Sequence, residues 1–138
     1  MRRPDWKSRL TEYLGTSAQR AFVYGTHDCC LFAAGAVMAM TDVDVAAPFR
    51  GRYTTLKGGL RILRQAGFED HVALAAHFYD EVHAAFVSPG DLAVIDTPEG
   101  AALGVVQGEG AYVLGRGPER DRLGLMPVSA ARMFLSVP

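Results

Sequence analysis

The chain has 138 residues, of which 49% are hydrophobic and 21% are charged, and its formal net charge is −1. This balance is ordinary for one globular domain and gives no electrostatic reason to expect nucleic acid or an anionic membrane as a partner. The two cysteines are adjacent, which excludes a disulfide framework and favours assembly in a reducing cytoplasm. No membrane-spanning segment and no signal peptide are predicted.

The first predicted element is a helix over about residues 5–14. Trp6, Leu10 and Leu14 recur at spacings of four, which places them on one helix face. Gly15 follows directly, and glycine is a common residue at the end of a helix. The helix is therefore predicted to stop there.

A second helix is predicted over residues 29–40 and is expected to be the centre of the fold. Asp28 precedes it, and an aspartate at this position can accept hydrogen bonds from the free N–H groups of the first turn. The helix is apolar on nearly every side, which is typical of a buried helix. Cys29 lies in its first turn, where the helix dipole favours a thiolate, as in many nucleophilic cysteines. Cys30 points about 100° away and is predicted to be core.

The remaining chain changes from helical to strand periodicity near residue 88. A third helix is predicted to start after Thr54 or Thr55 and to end at Gly67, and a short fourth helix is predicted within residues 69–79. Strands are predicted over residues 92–95, 102–107, 111–114 and 123–128, with a hairpin turn at 108–110 and a final helical turn at 129–134. The predicted class is α+β, with a helical part over about 1–87 and a β-rich part over about 88–138.

Three motifs in order resemble the NlpC-type, papain-like cell-wall peptidases. They are Tyr24-Gly25 with Asp28-Cys29, then Pro89-Gly90-Asp91-Leu92, then the glycine-rich hairpin over residues 103–110. The resemblance covers roughly residues 20–115. It implies one papain-like domain over residues 1–138, with the Cys helix packed on a small antiparallel sheet. It also implies Cys29 as nucleophile and peptidoglycan stem peptides as substrate.

A group of phage and prophage proteins related to those peptidases resembles nearly the whole chain. The shared features are a Trp-x-x-x-Leu helix at residues 6–10, the segment at residues 28–32 and the Arg-Gly-x-Tyr-x-Thr segment that begins at Arg50. The resemblance implies a structural component of a siphophage-like tail tip. Its implied partners are other tail proteins at the hub and tip, with peptidoglycan as a further contact. Its implied location is the virion tail, after synthesis in the host cytoplasm.

Two positions depart from the peptidase pattern. The histidine that serves the cysteine as base falls on Ala102, and the polar residue that orients this base falls on Leu114. A thiol needs a base or a strong positive potential to attack an amide. We therefore expect a degenerate peptidase fold without peptidase activity. The alternatives are an active cell-wall peptidase or amidase with Cys29 and an unrecognised base, and a module that binds a cell-wall peptide without cutting it.

The four histidines do not offer an obvious base or metal site. His27 is a weak candidate base, because its short tether to Cys29 usually points the ring away from the thiol. His71, His77 and His83 are six residues apart, which does not place them on one helix face for a metal. They are expected to be solvated or satisfied locally. No metal and no cofactor is predicted.

Two further expectations concern the β-rich part. Asp91, after Pro89-Gly90, is expected to close a turn into the first long strand. The apolar C-terminal residues Phe134, Leu135 and Val137 are expected to contribute to a contact surface for partners.

Overall fold

The computed structural model describes residues 1–115 and 122–138. The described residues form four α-helices and a six-stranded sheet. The helices are α1 (Trp6–Ser17), α2 (Cys29–Thr41), α3 (Leu56–Gln65) and α4 (His71–Phe78), and the strands are β1 (Asp80–Val82), β2 (Leu92–Thr97), β3 (Gly100–Gln107), β4 (Gly110–Leu114), β5 (Leu123–Pro127) and β6 (Ala131–Ser136). None of the helices in these two ranges is long and apolar enough to cross a membrane.

The strands form one sheet in the order β1-β6-β2-β3-β4-β5, and every neighbouring pair is antiparallel. The β3–β4 hairpin turns at Gly108 and Glu109, within the predicted turn at 108–110, and Gly110 is already paired with Gln107. Glycine suits this turn because the φ angle of Gly108 is 60°. The predicted α+β class with an antiparallel sheet is confirmed.

Helix α2 is surrounded by the rest of the fold, as its apolar pattern predicts. Its N-cap is Asp28, whose Oδ1 accepts from the backbone N–H of Leu31 at 2.9 Å. Phe32 and Val37 are buried in the cluster that joins α1 and α2 to one face of the sheet, whereas Leu31 is buried on another side of the helix. The helix is therefore the element on which the other layers pack.

Two predicted ends of elements are wrong. Helix α1 does not stop at Gly15 but continues to Ser17. Gly15 keeps a helical backbone with open space around it, so its freedom to adopt a positive φ is not used. The other error is at the C-terminus, where the predicted helical turn is limited to a short 3-10 segment at Val128–Ala130.

The residues that follow this segment form the long strand β6, which inserts between β1 and β2. Phe134, Leu135 and Val137 are 6%, 1% and 3% exposed. The expectation that these side chains form a contact surface is therefore wrong. The burial of Phe134 and Leu135 in β6 outweighs any local helical preference. Pairing with β1 and β2 satisfies the backbone hydrogen-bonding groups of this strand, and the side chains on both of its faces gain apolar contacts.

Candidate active site

Cys29 is held at the tip of α2 by a network centred on Asp28. The Oδ2 atom of Asp28 accepts from the backbone N–H of Gly25 at 3.0 Å and from the hydroxyl of Tyr53. Burial and the Asp28 carboxylate raise the pKa of Tyr53, which keeps this hydroxyl protonated. Gly25 is required here, since its φ is +82° and a Cβ would lie 1.9 Å from the Tyr53 carbonyl oxygen. The Asp28 carboxylate therefore positions the loop at Gly25 and the first turn of α2.

His71 reaches Cys29 from the first position of α4. Asp70 caps this helix, accepting from the N–H of Ala73 at 2.9 Å. The His71 Nε2 atom lies 3.9 Å from the Cys29 Sγ atom and 2.6 Å from the carbonyl oxygen of Ala101 on β3. The expectation that His71 is solvated or satisfied locally is therefore wrong. The structure joins two side chains that are 42 residues apart in sequence.

The contact with Ala101 determines where the proton of His71 lies. A carbonyl oxygen only accepts, so Nε2 carries the hydrogen and presents the same N–H to the sulfur. Burial disfavours the charged imidazole, but the contacts with Cys29 and Ala101 and the charge of Asp70 together outweigh it and raise the pKa of His71 from 6.5 to about 9. His71 is then protonated at neutral pH. The charged imidazole therefore lies beside the Cys29 sulfur.

The positions that the peptidase resemblance assigns to the base and its partner lie in the same cleft but are apolar. Ala102 on β3 and Leu114 on β4 both line the space above Cys29. The imidazole comes instead from α4 and binds the backbone of the residue before Ala102. The sequence argument for an inactive site assumed that no histidine lies beside Cys29, whereas the structure places His71 there.

His27 does not take this role in the structure. Its side chain is 1% exposed, and its ring packs edge-on against Phe32 with centroids 6.3 Å apart. Burial, together with the positive charge of Arg20, lowers the pKa of His27 and keeps it neutral. Within residues 1–115 and 122–138, the side-chain hydrogen-bond partner of Cys29 is His71.

Cys30 is half-buried at the edge of the core, whereas the sequence predicts a core residue. It packs against the buried cluster of Phe49, Leu63 and Leu74, and burial raises the pKa of its thiol. It therefore stays protonated and does not compete with Cys29 as a nucleophile.

In the described part of the chain, no group of three or more His, Cys, Asp or Glu side chains could hold a metal.

The raised pKa of His71 predicts a pH-dependent contribution to stability. A basic group with a raised folded pKa stabilises fully below its unfolded pKa, here 6.5, and this contribution is lost as the pH rises through about 9. His71→Gln should thus lower the free energy of unfolding more at pH 6.5 than at pH 10, measured by urea titration. His77→Gln is the control, because His77 is exposed. A cost of His71→Gln that does not change with pH would show that His71 is not charged in the folded state.

Comparisons with known proteins agree with this fold. A solved structure titled "Crystal structure of NlpC/p60 domain of peptidoglycan hydrolase SagA" matches with a TM-score of 0.54 at 16% identity, covering 95% of each chain. At this identity the likeness concerns the fold alone. No curated protein sequence matches the chain. The family described as "Domain of unknown function (DUF6950)" matches residues 1–137, and the chain therefore belongs to this family.

Proposed function

We propose that this chain is a cysteine hydrolase in which Cys29 is the nucleophile and His71 is its acid–base partner. The observation that carries the proposal is the 3.9 Å contact between Sγ of Cys29 and Nε2 of His71 at the start of a buried helix. A thiol becomes an effective nucleophile when a proton-transfer partner lies beside it, and the His71 imidazole is placed to serve as that partner. The NlpC/p60 likeness of the fold is compatible with this chemistry.

The reaction follows from the protonation of the pair. The Cys29 thiolate attacks a carbonyl carbon, and the tetrahedral intermediate collapses as the bond to the leaving group breaks. The leaving group takes the Nε2 proton of His71, which must turn from Ala101 to deliver it. Water then attacks the acyl-thioester at Cys29 and gives a proton to His71, which regenerates the pair and releases the acid.

Backbone N–H groups near Cys29 are suited to stabilise the oxyanion. The first turn of a helix leaves donors without intrahelical partners. Asp28 satisfies the N–H of Leu31, whereas those of Cys29 and Cys30 have no acceptor among the described residues. Donors fixed in this way stabilise the developing negative charge without reorganisation.

The test is covalent labelling followed by mass spectrometry. The wild type should be alkylated by iodoacetamide at Cys29 at pH 7 about tenfold faster than a free thiol, because the adjacent His71 imidazole activates the sulfur. His71→Gln should remove this advantage, Cys29→Ser should remove the labelling, and the control His77→Gln should change neither. p-Nitrophenyl acetate should also leave an acetyl group on Cys29. A Cys29 that reacts at the same rate with and without His71, and is never acylated, would falsify the proposal.

A second proposal concerns where the protein acts, and it rests on the resemblance of the whole chain to phage tail proteins. Tyr53 of the Arg-Gly-x-Tyr-x-Thr segment contributes to the site, since its hydroxyl donates to Asp28, while Arg50 of the same segment pairs with Asp44 at 2.6 Å outside the cleft. A place in the tail is compatible with hydrolysis at this site. The proposed partners are the hub and tip proteins of the tail, and peptidoglycan is a further proposed contact. Particles assembled without this subunit should be incomplete or non-infective. Its absence from purified virions would contradict tail placement and leave the hydrolase proposal standing.

A further inference from the structure

The cleft above Cys29 has apolar walls. Its volume is about 510 Å³, which lies in the range of small-molecule sites. Leu56, Leu60 and Leu63 line it from α3, and Leu123, Leu125 and Met126 line it from β5. Leu56 and Leu125 are 42% and 61% exposed, so the walls present apolar surface that nothing in the described chain covers.

The charged residues of this cleft are not placed to bind a charged substrate at the reacting atoms. Asp28 is buried, but its carboxylate already accepts three hydrogen bonds. His71 is the charged residue beside the reacting atoms, and its imidazole already contacts Cys29 and Ala101. The other charged lining residues among those described are Asp96, Glu99 and Arg122, which are all exposed. An ammonium beside Cys29 would lose its hydration next to the charged His71, and a carboxylate there would compete with the Cys29 sulfur for the His71 imidazole, so both are unfavourable at the reacting atoms.

We infer that the group seated beside Cys29 is an apolar acyl group, presented as an ester, thioester or amide. This inference rests on the proposed function and specifies its substrate class. The leucines of α3 and β5 enclose the acyl chain, while its carbonyl carbon meets the Cys29 sulfur. The leaving alcohol, thiol or amine departs with the proton from His71, and water completes the hydrolysis. Charged stem-peptide groups are thereby disfavoured at this position.

The test compares p-nitrophenyl esters that differ only in their acyl group. The value of kcat/KM should rise by about 10–100-fold from acetate to octanoate, since each buried methylene contributes favourably. The hemiglutarate ester, with a terminal carboxylate, should be slower than the butanoate ester. An N-acetylleucine ester distinguishes the two sources of an apolar acyl group, a fatty chain and an apolar amino-acid residue. Of the octanoate and N-acetylleucine esters, the one with the higher kcat/KM identifies the source of the acyl group.

Leu56→Ser and Leu125→Ser should each lower kcat/KM several-fold more for the octanoate ester than for the acetate ester, which flattens the dependence on chain length. Both side chains are already exposed, so folding should tolerate the changes. Phe86→Ser is the matched control, because Phe86 is 76% exposed and does not line the cleft. Equal rates for octanoate, butanoate and hemiglutarate would overturn the substrate class and leave the hydrolase proposal intact.

A binding measurement separates the two proposals if no ester is hydrolysed. Cys29→Ala protein should bind a fluorescent fatty-acid analogue, and Leu56→Ser should weaken that binding several-fold. Binding without any Cys29-dependent hydrolysis would reject the proposed function but retain an apolar acyl ligand. The absence of binding would reject the acyl ligand.

Discussion

Leu31→Asp and Val37→Asp are each expected to prevent folding. The two side chains are 1% and 2% exposed and belong to different buried clusters around α2. An unpaired carboxylate at either site costs several kcal/mol, which is comparable to the whole stability of a domain, about 5–15 kcal/mol. Neither variant should show a cooperative melting transition by circular dichroism.

Met38→Asp provides the control on the same helix. Met38 is adjacent to Val37 but is 47% exposed, so a carboxylate there keeps its hydration. This variant should melt cooperatively within a few degrees of the wild type. If Leu31→Asp and Val37→Asp also melt normally, α2 is not the centre of the fold.

The central helix and the hairpin could be predicted because their signals are local. Asp28 followed by an apolar run is enough to place the start of α2, and the turn at 108–110 requires only the glycines between two β-rich runs. In both cases neighbouring residues in sequence are also neighbours in space. Propensity and packing therefore favour the same structure.

The missed elements depend on contacts between distant segments. Strand β1 has three residues, too few for a periodic signal, and forms by pairing with β6 at the other end of the chain. The segment that forms β6 was predicted as a helical turn because its extended conformation also depends on pairing with distant strands. Met133, Phe134 and Leu135 are apolar at consecutive positions, and only the pairing with β1 and β2 determines that this segment is extended.

The candidate site was predicted only in part. Cys29 and Asp28 carry a local signal, since an N-cap and the residue after it define a helix tip. His71 carries none that points to Cys29, because its distance from the sulfur depends on how α4 packs against α2 and β3. The one local sign was that Asp70 caps a helix starting at His71. That cap shows where the helix starts but not what its first side chain contacts.

Asp91 is a second buried carboxylate with several partners, and its role extends beyond the predicted turn. Its Oδ2 atom accepts from the N–H of Ser88 at 2.8 Å, which closes that turn. Its Oδ1 atom accepts from the N–H of Val137 at 3.0 Å and from Nη2 of Arg2 at 3.1 Å. Arg2 also donates from Nε to the Val137 carbonyl at 3.2 Å. One carboxylate therefore joins the start of β2 to segments near both ends of the sequence.

Asp91→Ala is accordingly expected to lower the free energy of unfolding by about 3–5 kcal/mol, the usual cost of removing one partner of a buried ion pair. The Asp91 and Arg2 side chains are 4% and 14% exposed, so the variant leaves a largely buried guanidinium without its carboxylate. It also leaves the N–H of Val137 without an acceptor.

Asp96→Ala is the matched control, because its ion pair with Arg132 is exposed, at 68% and 49%, and pairs of this kind contribute about 0–1 kcal/mol. Chemical denaturation at pH 7 measures both variants. Equal losses for the two aspartates would mean that the Asp91 network does not stabilise the fold, whereas a loss confined to Asp91→Ala would show that this carboxylate holds the two ends of the chain against the sheet.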